Sequence, residues 1–536
     1  MSTNITCGQA VPMLLEAYGV DTVFGIPGVH TLELYKGMTE TKIRHVQTRH
    51  EQGAGFMADG YARVSGRPGV CLLITGPGVT NAATAMGQAF SDSIPMLVVS
   101  STNATTDIGM GRGRLHEITS QDAVTAPLTA FSKTAPSAAD VPDLMARAFA
   151  VFGNARPRPV HISLPLDVLD APGDFDRTPR LPAPPPAPAA QSVEAAVAIL
   201  ADAKRPVIIA GGGTVGCAAA VTTLAEALGA AVLTTIAGKG VVPDDHPLCL
   251  GANLSNKPAQ EFLATADVVV AIGTELAETD FWVDRAPING KLIRIDIDAS
   301  STQRDYPAAV AMVGDAGQAV EAILARLDGA VGAGFANGEL DAVRDALAAS
   351  IPPLDRIHGQ VLDALRAALP DDGVVFSDAT QIAYTGNYYF PCRQPRTWFH
   401  PTGFCTLGWA MPAAIGAKLA APERPVVALA GDAGFLFTVQ ELATAVELEL
   451  PLPIVLWNND GLGAIRAGMD DQDIPQIAVN PRNPDFIMMA KSFGCHTAQP
   501  DSLDAFQEAL GAAFTADAPT LIEVRQDAPY LGGGSA

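Results

Sequence analysis

The chain has 536 residues, of which 48% are hydrophobic and 17% are charged, and its formal net charge at pH 7 is -23. This length gives a prior of about three or four domains, and the composition excludes a disordered chain. A strongly negative surface repels phosphates, which argues against nucleic acid or an anionic membrane as a partner. The N-terminus lacks a basic region followed by an apolar core, and no segment offers about 18 uninterrupted apolar residues, so we expect a cytoplasmic protein.

The first part of the chain alternates apolar runs with helical patterns. GVCLLIT (69–75) and PMLVVSS (95–101) are apolar throughout, as expected for strands buried on both faces of a parallel sheet. The segment 174–192 is rich in proline, which predicts an extended linker. We therefore predict a doubly wound α/β domain over residues 1–172.

Two motifs of this domain attract attention. In VQTRHEQGAGFMADGYAR (46–63), a predicted strand leads through Glu51 into a helix rich in small residues. The helix macrodipole also favours a glutamate at this position, so a structural role is the alternative interpretation. ITGPGVTN (74–81) is a glycine-rich turn, which on its own is a weak signal of a binding site.

A second set of strands follows the linker. The apolar runs that predict it are RPVIIAGGG (205–213), AAVLTT (230–235), DVVVAIG (267–273) and KLIRIDID (291–298). They indicate a second α/β domain over residues 190–328. The glycine triplet 211–213 is compatible with a dinucleotide turn, but a triplet alone is a weak signal.

A stretch rich in glycine and small residues, 328–340, separates this domain from a third set of strands. The predicted strands are GVVFSD (373–378), RPVVALAGD (424–432) and PLPIVLWNND (451–460). The third domain is predicted over residues 350–536. The fold class is therefore α/β, with three doubly wound parallel-sheet domains.

The segment from Gly431 to Asn459 carries the strongest functional signal. A strand ends at a tight Gly-Asp turn, an amphipathic helix is predicted next, and the following strand ends at Asn459. Because ligands bind at the carboxyl ends of strands in open α/β sheets, Asp432 and Asn459 can meet there. Their oxygen atoms suit Mg²⁺, and nearby helix N-termini would bind a diphosphate. The alternative is that Asp432 merely caps the helix.

This segment resembles the thiamine-diphosphate signature of the acetolactate synthase and 2-oxo-acid decarboxylase superfamily, with GDA in place of the usual GDG. The resemblance implies that Asp432, Asn459 and the carbonyl of Gly461 bind Mg²⁺. It also implies that Glu51 activates the cofactor through its aminopyrimidine ring.

Further motifs extend the resemblance, namely the GPG-x-TN turn, SDATQIAY (377–384) and TGFCTLGWAMPAAIGAK (402–418). The carbonyl of Cys405 would accept from the amino group of the cofactor, and Leu407, in place of a methionine, would support its bent shape. The implied cofactor-binding residues are Glu51, Pro77, Asn81, Thr380, Gln381, Cys405, Leu407, Gly431, Asp432, Ala433, Gly434, Asn459, Gly461, Leu462 and Gly463.

The resemblance also bears on assembly and on a second cofactor. In this family the pyrimidine-binding domain of one subunit faces the diphosphate-binding domain of another, which implies a homodimer or homotetramer with Glu51 at the interface. Glu275 stands where flavin-binding synthases carry an arginine. Since an acid would repel a diphosphate at this position, we expect no FAD.

Three departures from the synthases concern the reaction. His30 occupies a position that is histidine in benzaldehyde-lyase-like members, His116 replaces a glutamine that borders the synthase site, and Leu166 replaces a frequent lysine. Because histidines titrate near neutrality, His30 and His116 are candidate catalytic residues that transfer protons. A structural role is the alternative for each.

The runs GIPGVHTLELY, RHEQGAGFMADGYARVSGRPGV and GRGRLHE look most like the 5-guanidino-2-oxopentanoate decarboxylases of arginine catabolism. This implies decarboxylation of that small 2-oxo acid to 4-guanidinobutanal and carbon dioxide. A guanidinium group requires an acidic partner. The candidates are Asp470, Asp471, Asp473 and Glu33, each of which is otherwise part of an acidic solvated surface. The alternatives are a flavin-free carboligase of the acetolactate synthase type and a non-catalytic relative.

Overall fold

The structure, a computed structural model, describes residues 5–327 and 334–532. These residues form three parallel sheets, each with helices on both faces, which confirms the predicted α/β fold class. Residues 328–333 of the predicted separator lie outside the described residues, as do the chain ends.

The N-terminal region contains eight strands and seven helices. The strands are β1 (Ile5–Thr6), β2 (Thr22–Gly25), β3 (Arg44–Gln47), β4 (Gly69–Leu73), β5 (Met96–Thr102), β6 (Phe131–Thr134), β7 (Val160–Pro165) and β8 (Pro172–Gly173). The helices are α1 (Cys7–Ala17), α2 (Leu32–Met38), α3 (Glu51–Ser65), α4 (Pro77–Ser91), α5 (Gln121–Thr125), α6 (Val141–Asn154) and α7 (Leu166–Leu169). Six strands form one parallel sheet in the order β3-β2-β4-β5-β7-β6, while β1 pairs with β8.

The residues of β4 show why this sheet is doubly wound. Val70 and Leu72 pack into one hydrophobic core, whereas Cys71 and Leu73 pack into another on the opposite face. A strand that buries both faces must be apolar at every position, and this explains the continuous apolar run in the sequence.

The middle region has a five-stranded parallel sheet. Its elements are α8 (Ala190–Ala201), β9 (Pro206–Ala210), α9 (Ala218–Leu228), β10 (Ala231–Thr234), α10 (Lys257–Leu263), β11 (Val268–Ile272), α11 (Glu278–Phe281), β12 (Lys291–Asp296), β13 (Val310–Val313) and α12 (Ala316–Leu324). The strand order is β10-β9-β11-β12-β13. Helix α13 (Glu339–Ala349) follows the gap and packs against this region, where Leu340 joins its core.

The C-terminal region has six parallel strands in one sheet. Its elements are α14 (Pro353–Ala368), β14 (Val374–Ser377), α15 (Gln381–Tyr389), β15 (Trp398–Phe399), α16 (Ala410–Ala420), β16 (Val426–Gly431), α17 (Asp432–Phe435), α18 (Leu442–Glu447), β17 (Pro453–Asn458), α19 (Gly463–Asp471), α20 (Phe486–Phe493), β18 (His496–Ala498), α21 (Leu503–Ala513) and β19 (Thr520–Arg525). The strand order is β15-β14-β16-β17-β19-β18.

Every strand predicted from an apolar run is present, but one predicted helix is not continuous. The sequence after Asp432 predicts a single amphipathic helix, whereas the structure has α17, a turn, a 3-10 segment (Val439–Glu441) and then α18. The break falls at Thr438, whose hydroxyl donates to the carbonyl of Gly408 at 2.7 Å. The Thr438 side chain thus bonds to the loop that contains Gly408, at the point where the predicted helix is interrupted.

Helices α3 and α16 join the N-terminal and C-terminal sheets. A Cβ atom on Gly60 would overlap the backbone of Ala413, and one on Gly416 would overlap the backbone of Met57. These glycines let the two helices approach closely. One hydrophobic core runs from Phe24 in the first sheet to Phe376 in the third. Across the described residues, none of the helices combines the length and the apolar character needed to span a bilayer.

Candidate active site

Three neighbouring strands of the C-terminal sheet deliver polar residues to one edge. Strands β14, β16 and β17 are adjacent and parallel, so their carboxyl ends lie side by side. Asp378 follows the first strand, Asp432 follows the second and Asn459 follows the third. This is the edge at which open α/β sheets bind their ligands.

Asp432 is buried, and its two oxygens face different partners. Oδ2 accepts hydrogen bonds from the backbone N–H of Gly461 at 2.8 Å and from the side-chain amide of Asn483 at 2.6 Å. Burial raises the pKa of the Asp432 carboxyl, and the hydrogen bond from Asn483 opposes this rise. Oδ1 points instead toward Asn459.

Three oxygen atoms converge at this point. Asn459 Oδ1 lies 3.2 Å from Asp432 Oδ1 and 2.8 Å from the carbonyl oxygen of Gly461, while Asn459 Nδ2 donates to Gln381 Oε1 at 2.8 Å. Turning the Asn459 amide over would convert the first two contacts into hydrogen bonds, but it would set the amide oxygen against Gln381 Oε1. With the oxygen inward, the three atoms form a donor set that fits a hard cation such as Mg²⁺.

The surrounding backbone can accommodate a diphosphate. Helices α15 and α19 begin near the cluster, and neither Thr380 nor Leu462 caps its helix through the side chain, so first-turn N–H groups remain available to an anion. A Cβ atom on Gly431 would lie 2.6 Å from Thr380 Oγ1, and one on Gly463 would lie 2.9 Å from Gln381 Cδ. A side chain at either position would therefore displace these neighbouring side chains. Ala433 and Gly434 lie in α17, directly after Asp432.

The loop with Cys405 and Leu407 is held in an unusual backbone conformation. Cys405 has φ of +51° and Gly408 has φ of +81°. The N–H of Gly408 donates to the buried carboxyl of Asp378 at 2.9 Å, and Leu407 Cδ2 lies next to Gly434. Burial raises the pKa of Asp378 to about 6. Asp378 therefore fixes the turn that presents Leu407.

The N-terminal sheet brings a second group of predicted residues together. Glu51 begins α3, and Asn81 on α4 donates its side-chain N–H to Glu51 Oε2 at 2.9 Å. Pro77 is the exposed first residue of α4, and the next residue, Gly78, lies beside the Glu51 carboxylate. Glu51, Pro77 and Asn81 thus share one corner of this sheet.

The two histidines singled out by the sequence are neighbours. The ring centroids of His30 and His116 lie 5.5 Å apart, and each Nδ1 atom is buried without a hydrogen-bond partner. Burial, and secondarily repulsion from His116, lowers the pKa of His30. His116 has φ of +60°, and its carbonyl abuts Gly76, which precedes Pro77. The histidine pair therefore lies next to the Glu51 corner.

Within the described part of one chain, no hydrogen bond links the Glu51 carboxylate to the Asp432 carboxylate. Among the residues described, the side chain of Glu51 bonds only to Asn81. The side chain of Asp432 accepts from the backbone N–H groups of Gly461 and Ala433 and from the side-chain amide of Asn483. The acidic candidates also differ in their surroundings. Glu33 accepts from the Thr6 hydroxyl at 2.5 Å, whereas the Asp470 carboxylate accepts from Gln476 and from no other described side chain, and Asp473 is exposed.

Two supporting residues had no recognisable signal in the sequence. Asn483 contacts Asp432 from 51 positions away. Gln121 is buried and accepts from the Gly76 N–H at 3.0 Å while its amide donates to Ser100 and Ser163, so it ties the Gly76 turn to β5 and β7. Both act over long sequence separations within ordinary polar segments. A spacing pattern could not have revealed them.

An oxygen cluster that fits a hard cation lies beside helix N-termini at the edge of one of three doubly wound sheets, and this arrangement is typical of enzymes that use a diphosphate cofactor. Family comparison specifies the cofactor. The chain matches the N-terminal TPP binding domain of thiamine pyrophosphate enzymes over residues 5–124, their central domain over 193–323 and their C-terminal TPP binding domain over 378–524. The chain therefore belongs to the thiamine-diphosphate-dependent enzymes, as the sequence motifs predict.

Individual relatives cover nearly the whole chain. The probable 2-ketoarginine decarboxylase of Pseudomonas aeruginosa is 54% identical, over 97% of this chain and 94% of that protein. Isozyme 1 of the acetolactate synthase large subunit from Escherichia coli K12 is 30% identical, over 98% of this chain and 94% of its own length. A probable acetolactate synthase large subunit of Methanococcus aeolicus is 32% identical, over 97% and 92% of the two chains.

Proposed function

We propose that this enzyme decarboxylates 5-guanidino-2-oxopentanoate, which is 2-ketoarginine, to 4-guanidinobutanal and carbon dioxide, a reaction of arginine catabolism. The observation that carries the proposal is the 54% identity, over 97% of the chain, to a protein named as a probable 2-ketoarginine decarboxylase. The histidine pair supports it, because a decarboxylase must return a proton to the carbon that loses carbon dioxide.

Asp432, Asn459 and the Gly461 carbonyl hold Mg²⁺ in this proposal. The Asn459 amide lies 3.2 Å from Asp432 Oδ1 and 2.8 Å from the Gly461 carbonyl oxygen, and the proximity of these three groups supports the proposal. Asn483 and Gln381 orient the two side chains from outside the cluster. Thr380 and the start of α19 would hold the diphosphate. When bound, thiamine diphosphate supplies a nucleophilic carbon and an electron sink for the electrons released with carbon dioxide.

Glu51 is the proposed activating acid. Its carboxyl group would hydrogen-bond to the ring nitrogen of the aminopyrimidine, and Asn81 would keep the carboxyl group oriented through the 2.9 Å hydrogen bond. The Cys405 carbonyl would accept a hydrogen bond from the amino group of the cofactor, and Leu407 would pack against the cofactor. The positive φ at Cys405 and the anchoring of Gly408 by Asp378 support a fixed loop for this purpose.

We further propose a homodimer or homotetramer in which Glu51 of one subunit serves the Asp432 site of another. The described part of one chain provides no hydrogen bond between these two groups. Large apolar side chains are exposed around both groups, as expected for surfaces that a second subunit covers. They are Val29, Leu32, Met110 and Leu115 near the histidine pair, and Ile465, Ile474 and Ile477 on and after α19.

His30 and His116 are the proposed proton-transferring residues. Their unpaired Nδ1 atoms are free to bond to substrate, and the lowered pKa of His30 favours a neutral ring at pH 7. For the guanidinium group we favour the segment with Asp470, Asp471 and Asp473. Its carboxylates have few competing partners, whereas Glu33 is already held by Thr6 and Lys36.

The middle sheet is proposed to bind no FAD. Glu275 forms an ion pair with Arg158 at 3.2 Å and lies 3.7 Å from Arg156, so arginine side chains of the same chain occupy the space around its carboxylate. The turns at Gly213 and Gly273 also pack backbone against backbone at the strand ends where a dinucleotide would enter.

A panel of 2-oxo acids tests the reaction. With Mg²⁺ and thiamine diphosphate, the guanidino acid should release carbon dioxide and yield the aldehyde faster than pyruvate does. A carboligase of the acetolactate synthase type remains the second candidate, because the synthases named above cover the same span of the chain. A carboligase of this type would form acetolactate from pyruvate instead.

A further inference from the structure

A buried carboxylate of the C-terminal region lies against the residues that precede Glu51. Glu441 ends the 3-10 segment after α17 and has no exposed surface. Its Oε1 accepts from the backbone N–H groups of His50 at 2.9 Å and Arg49 at 3.1 Å. Its Oε2 accepts from Arg49 N–H at 3.1 Å and from the Thr444 hydroxyl at 2.7 Å. Both oxygens are therefore engaged.

The first turn of α3 is shaped to receive this carboxylate. A Cβ atom on Gly53 would lie 2.6 Å from Glu441 Cδ and 2.9 Å from Cγ, so a side chain at this position would displace the Glu441 carboxylate. Glu51 lies between the two hydrogen-bonded residues and Gly53. Glu441 therefore bonds to the backbone before Glu51 and lies close to the backbone after it.

A carboxylate is a costly choice for a buried contact between two regions. Burial raises the pKa of Glu441, and the hydrogen bonds oppose this rise. An apolar side chain would fill the same space without the desolvation cost. A carboxylate offers directed acceptors, and here they fix two main-chain N–H groups immediately before the helix that begins with Glu51.

We propose that Glu441 is a positioning residue that sets the entry of the chain into α3 and thereby aims the Glu51 carboxylate beside Asn81. This inference rests on the proposed role of Glu51. A contact that only stabilises the packing of the two regions would not selectively affect the step that depends on Glu51. Loss of Glu441 should slow the step that depends on Glu51 without weakening the binding of the diphosphate.

The experiment compares Glu441→Gln with Glu447→Gln in the full-length enzyme. Glu447 contacts the Arg49 side chain from the neighbouring α18 but is exposed, so it is the matched control. Glu441→Gln should lower kcat by about tenfold or more, since small misplacements of a reacting group have large effects. The KM for thiamine diphosphate should stay within about twofold, and the amides of Arg49 and His50 should exchange hydrogen faster in the cofactor-free protein. Glu447→Gln should change none of these quantities.

A double-mutant cycle with Glu51→Gln shows whether Glu441 acts through Glu51. In the Glu51→Gln background, the second substitution should lower kcat no further, whereas multiplied losses would overturn the inference. Wild-type kcat and amide exchange in Glu441→Gln would also overturn it. If Glu51→Gln itself keeps the wild-type rate, the proposed role of Glu51 fails and this inference fails with it. Faster amide exchange in Glu441→Gln would then still report the anchoring contact, which separates the two failures.

Gly53→Ala provides a second perturbation if Glu441→Gln does not fold. Its methyl group would displace the carboxylate while leaving the charge in place. The same lowered kcat and faster exchange are expected, and a wild-type result for both quantities would contradict the proposal.

Discussion

Among single residues, Glu51 and its contact with Asn81 matter most for the proposed activation of the cofactor. Their 2.9 Å hydrogen bond leaves the other carboxylate oxygen free for the cofactor. Glu51→Gln should lower kcat by about 10²- to 10⁴-fold, the usual contribution of an acid–base group. Steady-state kinetics with saturating Mg²⁺ and thiamine diphosphate measure this effect. A variant with unchanged kcat would show that Glu51 is a structural residue.

The stability of the protein is expected to depend on pH through the histidine pair, His30 and His116. Because burial and His116 lower the pKa of His30 below its ordinary value of 6.5, the unfolded chain binds the proton more tightly than the native protein does. This difference in proton affinity makes the free energy of unfolding depend on pH. The contribution of His30 to stability is fully present above pH 6.5, the pKa in the unfolded chain, and is lost as the pH falls from 6.5 through the lower pKa of His30 in the native protein. His116→Asn should raise the pKa of His30, as followed by NMR titration of the ring. An unchanged His30 titration would contradict electrostatic coupling of the pair.

The sequence predicts the candidate site residues that lie within motifs, but not the residues that contact and orient them. Asp432 and Asn459 are predictable because each follows an apolar strand, and the ends of adjacent strands meet. Asn483, Gln121 and Glu441 contact the site from distant segments, and their roles depend on three-dimensional packing. A single sequence contains no spacing that encodes such contacts.

At the scale of elements, the start of α19 explains two glycines with different roles. A side chain at Gly463 would collide with the amides of Gln381 and Asn459, whereas Gly468 has open space around it. Gly463→Ala should therefore weaken the binding of thiamine diphosphate by about tenfold or more, or about 1.4 kcal/mol. Titration of the cofactor into the apoenzyme measures this loss.

Gly468→Ala is the matched control in the same helix. It should leave cofactor affinity unchanged and stabilise the fold by up to about 1 kcal/mol, because alanine favours the helix interior. Equal affinities for the two variants would contradict the proposed placement of the diphosphate at the start of α19.

The broken helix after Asp432 shows where prediction of elements reaches its limit. The sequence after Asp432 predicts one amphipathic helix, whereas the structure has two separate helices, α17 and α18. The turn between them is stabilised by Thr438 bonding to Gly408, a contact 30 positions away. The break also brings Glu441 to the N-terminal region, where it bonds to Arg49 and His50, so the error in the prediction coincides with the contact that is proposed to position Glu51.

At the scale of the whole molecule, the two groups of site residues belong to different sheets that share one core. Helices α3 and α16 fix these sheets relative to each other within a chain. If Glu51 serves the Asp432 site of a partner subunit, two inactive variants can complement each other. A mixed dimer of Glu51→Gln and Asp432→Asn subunits contains one site with both substitutions and one with neither.

Co-expression of these two variants tests this arrangement. Random pairing in a two-fold symmetric dimer should restore about a quarter of the wild-type activity, although each variant alone is nearly inactive. Analytical ultracentrifugation of the same sample checks that the proteins are oligomeric. No recovery of activity in a confirmed hybrid would place both residues in the site of a single chain.

The most direct test of the central claim is the product formed by the enzyme loaded with Mg²⁺ and thiamine diphosphate. With 5-guanidino-2-oxopentanoate as the only substrate, we expect one carbon dioxide and one 4-guanidinobutanal for each molecule consumed. Failure to release carbon dioxide from this acid, together with conversion of pyruvate to acetolactate, would show that the enzyme is a carboligase and not the proposed decarboxylase.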